Sequence, residues 1–208
     1  MINLAPLKFD LAVSEAQLNS FKVLLDNQNE IGETDLLKFF KKAPQLILLM
    51  GLSFGIKSAK YQTEQSLFNE FRTDFTVSND KGDDYLFIEF EDAKKESIFK
   101  ERKNKTSTRY EWARRFEHGF SQVVDWYSVL DDLKQTNKMK QHFGNETIKY
   151  IGLLVIGRDQ FIQQGGNEER LKWRREKTTI DSKPLSCMTY DQLYESMAES
   201  LELLKAFS

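Results

Sequence analysis

The chain has 208 residues, 40% of them hydrophobic and 30% charged, with a formal net charge of −2. That length supports one sizeable core, and the near balance of charge excludes a polycation, so any nucleic-acid binding must rest on a local patch. A single cysteine, Cys187, excludes an intramolecular disulfide and a cysteine-rich metal site, and fits a reducing compartment.

Met1 to Asp10 has no basic stretch followed by a long apolar run, so no signal peptide is expected. The longest apolar run, Leu46 to Leu52, is too short to span a bilayer. A cytoplasmic protein with no membrane partner is therefore expected. Ser14 to Asn27 carries Leu18, Phe21, Leu24 and Leu25 at helical spacing behind a Ser cap, which predicts a helix. Glu33 to Lys42 predicts a second, stopped by Pro44. Leu52 to Tyr61 reads as a strand.

Phe71 to Val77 alternates, with Phe71, Thr73, Phe75 and Val77 on one side and Arg72, Asp74 and Thr76 on the other. Ser78 to Asp84 is a turn rich in Asn, Asp and Gly. Tyr85 to Phe90 is nearly continuous apolar sequence, as a central strand covered on both faces requires, and the two strands read as a hairpin. Asp92 to Thr108 reads as a charged connector. Arg109 to Asp132 predicts a long amphipathic helix with an apolar stripe of Ala113, Phe116, Phe120, Val123, Val124 and Tyr127. Tyr150 to Ile156 is a buried strand closed by Gly157, Asn167 to Lys177 a charged helix, Leu185 to Thr189 a short strand, and Tyr190 to Phe207 a terminal helix. The expected fold is α/β or α+β, a mixed sheet flanked by helices. Residues 1–29 are expected to form a helical extension to a domain over 30–208.

Three acids stand out. Glu89 and Glu91 are two apart, so a strand points both to one face, and Asp74 can reach that face from the paired strand. Converging carboxylates are costly unless a positive charge sits among them. Mg²⁺ or Mn²⁺ suits such an oxygen-rich site. On pattern alone, however, acids that cap or face solvent where the strands leave the core are the stronger reading.

A resemblance changes that balance. Phe71-Arg-Thr-Asp-Phe, a turn, then Phe87-Ile-Glu-Phe-Glu is similar to the hairpin of the PD-(D/E)XK nucleases. More narrowly, the chain resembles the C-terminal nuclease domain of the Shedu antiphage defence proteins. The residues carrying that likeness are Glu33 to Pro44, the hairpin, Phe120 to Tyr127, Tyr150 to Arg158, and Thr189 to Leu193. The resemblance implies a restriction-endonuclease-like core and a metal-dependent endonuclease acting on nucleic acid, DNA before RNA, with a homo-oligomer left open. It implies Asp74 and Glu89 as metal ligands, the Phe90 backbone carbonyl as a further ligand, Gln122 as a supporting side chain, and Glu33 as an added acid. Glu91 stands where many members carry a lysine that steadies developing negative charge, a task glutamate cannot do. Either Glu91 holds a second metal or positions water, or Lys94 or Lys95 reaches back, or the domain is a degenerate module that binds nucleic acid or a partner without cutting.

Lys94 to Arg115 holds nine Lys or Arg against three Glu. Lys94, Lys95, Lys100, Arg102, Lys103, Lys105 and Arg109 are the expected phosphate contacts at the rim of the acidic cavity, although each alone reads as a solvated side chain. Trp126 reads as core, and Gln122 reads equally as a satisfied buried amide. His118 and His142 have no metal-ligand partner at usual spacing and read as structural or surface residues. Ser186 and Cys187 lack a nucleophile pattern, and Gly165-Gly166 lacks the flanks of a phosphate loop.

Overall fold

The computed structural model describes residues 2–104, 106–180 and 183–207, with only the backbone of Lys183 and Pro184. A two-residue strand, β1 (Ala5–Pro6), precedes α1 (Leu11–Asn27). The α1 cap is Asp10, whose side chain accepts from the Val13 N–H at 3.0 Å. Ser14, the expected cap, is buried inside the first turn and donates to the Asp10 carbonyl.

α2 (Glu33–Lys42) ends as expected, but Pro44 also starts a helix, α3 (Pro44–Ser53). A proline suits that first position because its missing N–H would be unpaired there anyway. α3 is apolar all round and its Leu46 to Gly51 segment is wholly buried, so the longest apolar run is a core helix. The expected strand over Leu52 to Tyr61 therefore begins later. The chain turns at Gly55, where φ is +77°, and enters β2 (Ser58–Leu67), β3 (Phe71–Asn79) and β4 (Asp84–Phe90).

The charged connector is itself structured, as a two-stranded hairpin of β5 (Phe99–Lys103) and β6 (Thr108–Trp112). The following helix, α4 (Arg114–Asp132), accordingly starts five residues later than the apolar stripe suggested. A short helix unmarked by the sequence reading, α5 (Asn137–Phe143), is capped by Thr136 and ended by Gly144 with φ +81°. Then come β7 (Lys149–Val155), a 3₁₀ turn at Asp159–Phe161, α6 (Asn167–Lys177), a two-residue pair β8 (Thr179–Ile180) and β9 (Lys183–Pro184), β10 (Ser186–Met188) and α7 (Tyr190–Ala206).

Six strands form one mixed sheet in the order β1-β2-β3-β4-β7-β10. The β1 to β4 pairings are antiparallel, and β4-β7 and β7-β10 are parallel. Helices cover both faces. One layer joins Leu18 and Phe21 of α1, Phe40 of α2, α3 and Tyr190 of α7 to Leu86, Ile88 and Phe90 of β4. The other joins Phe116, Val123, Trp126 and Tyr127 of α4 to Tyr85 and Phe87. β4 is thus buried on both sides, which explains its continuous apolar sequence. The helix before residue 30 shares a core with α3 and α7. Among the described residues, no helix is long and apolar enough to cross a membrane.

α4 lies close against β7 because residue 152 is glycine. A Cβ there would sit 2.6 Å from Val123 Cγ1 and 2.7 Å from Tyr127 Cε2, and the Gly152 N–H donates to the Tyr127 hydroxyl at 2.9 Å. Gly152→Ala should overpack this seam and cost about 1–3 kcal/mol. Thermal unfolding should register that as a midpoint roughly 3–10 °C lower; an unchanged midpoint would mean that the helix shifts freely.

Candidate active site

The β3-β4 ladder stops at the pair Phe75–Ile88. Beyond it the Phe90 N–H donates to Asp74 Oδ2 at 2.7 Å, so a carboxylate replaces a backbone carbonyl where the strands part. The strict alternation expected over Phe71 to Val77 also fails here. Phe71 packs in the α4 layer, whereas Phe75 and Val77 pack in the α3 layer. Thr73 and Thr76, expected on opposite sides, have hydroxyls 2.8 Å apart. In β2, Glu64 lies between the partners of Thr73 and Phe75 with a left-handed φ of +52°. A twisted β2 rung explains the change of face, and Asp74 sits at the switch.

Glu89 and Glu91 face α4, opposite Ile88 and Phe90. Glu89 is 8% exposed, and its Oε2 is buried without a hydrogen-bond partner. Glu91 packs against α4 at Gly119, where a Cβ would lie 3.1 Å from Glu91 Cγ. Glu91 Oε2 accepts from Arg115 at 2.5 Å, and its Oε1 is 3.4 Å from His118 Nδ1. The Tyr190 hydroxyl donates to the Glu91 carbonyl at 2.7 Å. Arg115 also reaches Glu33 Oε2 at 2.6 Å and Asp92 Oδ2 at 3.3 Å. Glu33, Glu89, Glu91, Arg114, Arg115 and His118 line one cavity of about 510 Å³.

Burial pushes the Asp74 carboxyl up to about 7. The Phe90 N–H opposes this, and the charges of Glu33 and Glu91 reinforce it. Glu89 is pushed up to about 10, first by burial and then by Asp74, Glu91 and Glu33. Burial also raises Glu91, against the pull of Arg115, whose own pKa is raised by the bond to Glu91. These two directions favour opposite forms of Glu91. The contact geometry decides for the ion pair, because a guanidinium keeps its proton and a 2.5 Å bond marks a charge-assisted contact.

Asp74 and Glu89 thus have no ion pair among the described residues, whereas Glu33, Glu91 and Asp92 share Arg115. Asp74 and Glu89 offer hard oxygen donors, one of them unpartnered, and a strand residue's N–H and C=O point to the same side, so the Phe90 carbonyl faces Asp74 as well. That donor set fits a divalent ion that retains several waters. Glu91 is held by Arg115 through Oε2. Among the described residues, no group of three or more His, Cys, Asp or Glu side chains is placed to hold an ion as it stands.

Gln122, like Asp74, is not among the residues lining the cavity; its Nε2 donates to the Arg72 carbonyl at 3.2 Å, tying α4 to β3 two residues before Asp74. The expected phosphate contacts fall on the β5-β6 hairpin and the loop before it, not on the cavity wall. Lys94 is 3.8 Å from Asp92, Arg102 pairs with Glu111 and Lys103 with Glu101. Lys95, Lys100 and Arg109 are exposed, Arg109 directly across from Arg102; Lys105 lies outside the described residues. The cations that do line the cavity are Arg114 and Arg115, and His118, a surface residue as expected, also lines it. A signal for the arginines existed. Two cations in the first turn of a helix oppose its dipole, so acids should face them, but that turn is recognisable only once α4 is known to start at Arg114 and not at Arg109.

The family model described as Shedu protein SduA, C-terminal, matches residues 30–194. None of the curated proteins compared matches the chain.

Proposed function

We propose, from the premise that this chain belongs to the Shedu protein SduA C-terminal family, that it is a divalent-metal-dependent nuclease of antiphage defence. It acts in the cytoplasm on nucleic acid, DNA foremost, through a PD-(D/E)XK-type centre. The observation that carries this reading is the buried, unpartnered Oε2 of Glu89 beside Asp74. Acids whose pKa values are pushed this far by burial and by the charge of neighbouring carboxylates mark a place suited to a cation.

Asp74, Glu89 and the Phe90 carbonyl would hold Mg²⁺ or Mn²⁺. A divalent ion bound there supplies charge stabilisation and a more acidic water. The chain's own side chains do the rest. Arg115, anchored by Glu33, Glu91 and Asp92, offers a fixed guanidinium beside the acids, where a scissile phosphate gains charge. It supplies from the helix the positive charge that Glu91 cannot supply from the strand. Glu91 is then a positioning residue for Arg115. Arg114 and His118 line the same wall.

The test is nicking of plasmid and linear DNA with Mg²⁺ or Mn²⁺, by the parent and by Glu89→Gln, with chelator as control. Metal-dependent cleavage by the parent alone is the expected outcome. The neutralised Glu91 and the absence of a three-residue ligand group among the described residues favour one rival, a module that binds nucleic acid or a partner without cutting. Binding without cleavage on every substrate would select it.

A further inference from the structure

A second groove lies beside the acidic cavity. It is about 630 Å³ and is lined by Trp112, Glu169, Arg170, Trp173, Arg174 and Thr178. Trp173 is 64% exposed on a helix that otherwise presents charges. Trp112 forms its aromatic wall, backed by a run of buried rings. Phe99 and Trp112 have centroids 4.4 Å apart, Trp112 and Phe116 4.8 Å at 23°, and Phe116 and Phe120 5.6 Å.

Two guanidinium groups lie over this wall. Arg170 Cζ is 4.8 Å from the Phe99 ring and 5.3 Å from Trp112. Arg174 Cζ is 4.7 Å from Trp112 and 4.5 Å from Phe120. Both are fixed: Arg174 by a bidentate pair with Glu117 at 2.7 and 2.8 Å, Arg170 by the Tyr110 carbonyl and Asn167. One flat side of each rests on aromatic rings, and both side chains also line the groove.

We propose that this groove is a stacking site for unpaired nucleobases, in which a base packs on Trp173 and against the two guanidinium planes. The inference rests on the nuclease reading and adds to it a substrate class, a strand with unpaired bases beside the cut. Every base has a π face, so aromatic and arginine platforms bind single strands with little regard to sequence. The cations nearby, Lys172 and Lys177 on α6 and Lys100 and Arg109 on the hairpin, are exposed and match a phosphate backbone. Trp112 lines this groove and Arg114 lines the acidic cavity. Two residues of chain span at most about 7 Å, so one short strand can occupy both. The other candidate occupant, a second copy packed face to face, would bring the cations of α6 against themselves.

The experiment is fluorescence anisotropy with a labelled single strand and with a blunt duplex of the same sequence, in chelator so that no cleavage is needed. Trp173→Ala should weaken single-strand binding about five- to a hundredfold and duplex binding far less. Trp173→Phe should keep most of the affinity, and thermal unfolding should be unchanged because the side chain is exposed. Absent single-strand binding by the parent, equal affinity in Trp173→Ala, or an equal loss on duplex would each overturn the proposal. Self-association in sedimentation that depends on Trp173 would overturn it in favour of a second copy. The two readings fail separately: single-strand binding through Trp173 without any cleavage sinks the nuclease alone, and metal-dependent cleavage with binding indifferent to Trp173 sinks the groove alone.

Discussion

Glu89→Gln should lose DNA cleavage by about a thousandfold or more while making the metal-free protein more stable at pH 8. The loss follows if several kcal/mol of charge stabilisation is withdrawn with the ligand. The gain follows from linkage. Asp74 and Glu89 have folded pKa values raised above their ordinary 3.8 and 4.5, to about 7 and about 10. Their contribution to stability is therefore complete below about pH 4 and is lost as pH rises through those folded values. At pH 8 the folded metal-free parent must keep Glu89 protonated while its unfolded chain ionises it, a cost that glutamine, which mimics the protonated acid in both states, avoids. Its unfolding midpoint should lie several degrees below that of the variant, and the gap should close as pH falls toward 4. Mg²⁺ should raise the parent's midpoint at pH 8 and leave the variant's nearly unmoved, since only a native state that binds the ion is stabilised by it. Equal cleavage by both proteins would refute the assigned centre. A parent more stable than the variant at pH 8 without metal would refute the account of its charge.

Glu91→Lys, which restores the commoner motif residue, should destabilise the fold and not improve the enzyme. The new ammonium would stand in the grip of Arg115, in a place only 4% exposed, and leave two cations facing each other. The Arg115 side chain is 42% exposed, so water screens part of the repulsion, and losing this half-buried pair costs about 1–3 kcal/mol, equivalent to a midpoint roughly 3–10 °C lower. Adding Arg115→Glu to the same chain reverses the pair and should recover much of that loss, whereas Arg115→Glu alone should be destabilising. Thermal unfolding of the three variants gives the coupling directly. A Glu91→Lys protein as stable as the parent and faster in cleavage would show that lysine is tolerated here and that Arg115 does not supply the charge.

The sequence reveals the parts of the site that depend on short-range periodicity. Tyr85 to Phe90 reads as a strand buried on both faces because five of its six positions, all but Glu89, are apolar or strand-favouring, and β4 has that environment. Glu89 and Glu91 share a face for the same reason. Asp74 is harder, because the twist at Glu64 moves residues on either side of it to different layers, and no local pattern in Phe71 to Val77 marks that change. The β5-β6 hairpin hides in a run of lysines, since Lys100, Glu101, Arg102 and Lys103 suit an exposed ribbon as well as a loop. Misplacing the start of α4 by one turn and more then conceals why Arg114 and Arg115 stand together. Their partners, Glu33 and Glu91, lie 82 and 24 residues away, a distance at which only the assembled fold relates one charge to another.

The arrangement of the sheet also sets when the acids acquire their neighbours. β2, β3 and β4 pair through short local connections, but β7 joins β4 only after the chain between Phe90 and Lys149 has crossed over. Local antiparallel pairing closes early, and parallel pairing across a long crossover closes late. On a ribosome, then, Asp74, Glu89 and Glu91 first exist as a hydrated notch open to bulk water. Dehydration and counter-charge arrive together, when α4 docks with Gly119 against Glu91 and Arg115 over it. A nascent chain halted before that helix emerges has the acids but neither the low-dielectric surroundings nor the guanidinium, so the acids gain their electrostatic character by completing the crossover and not by being synthesised.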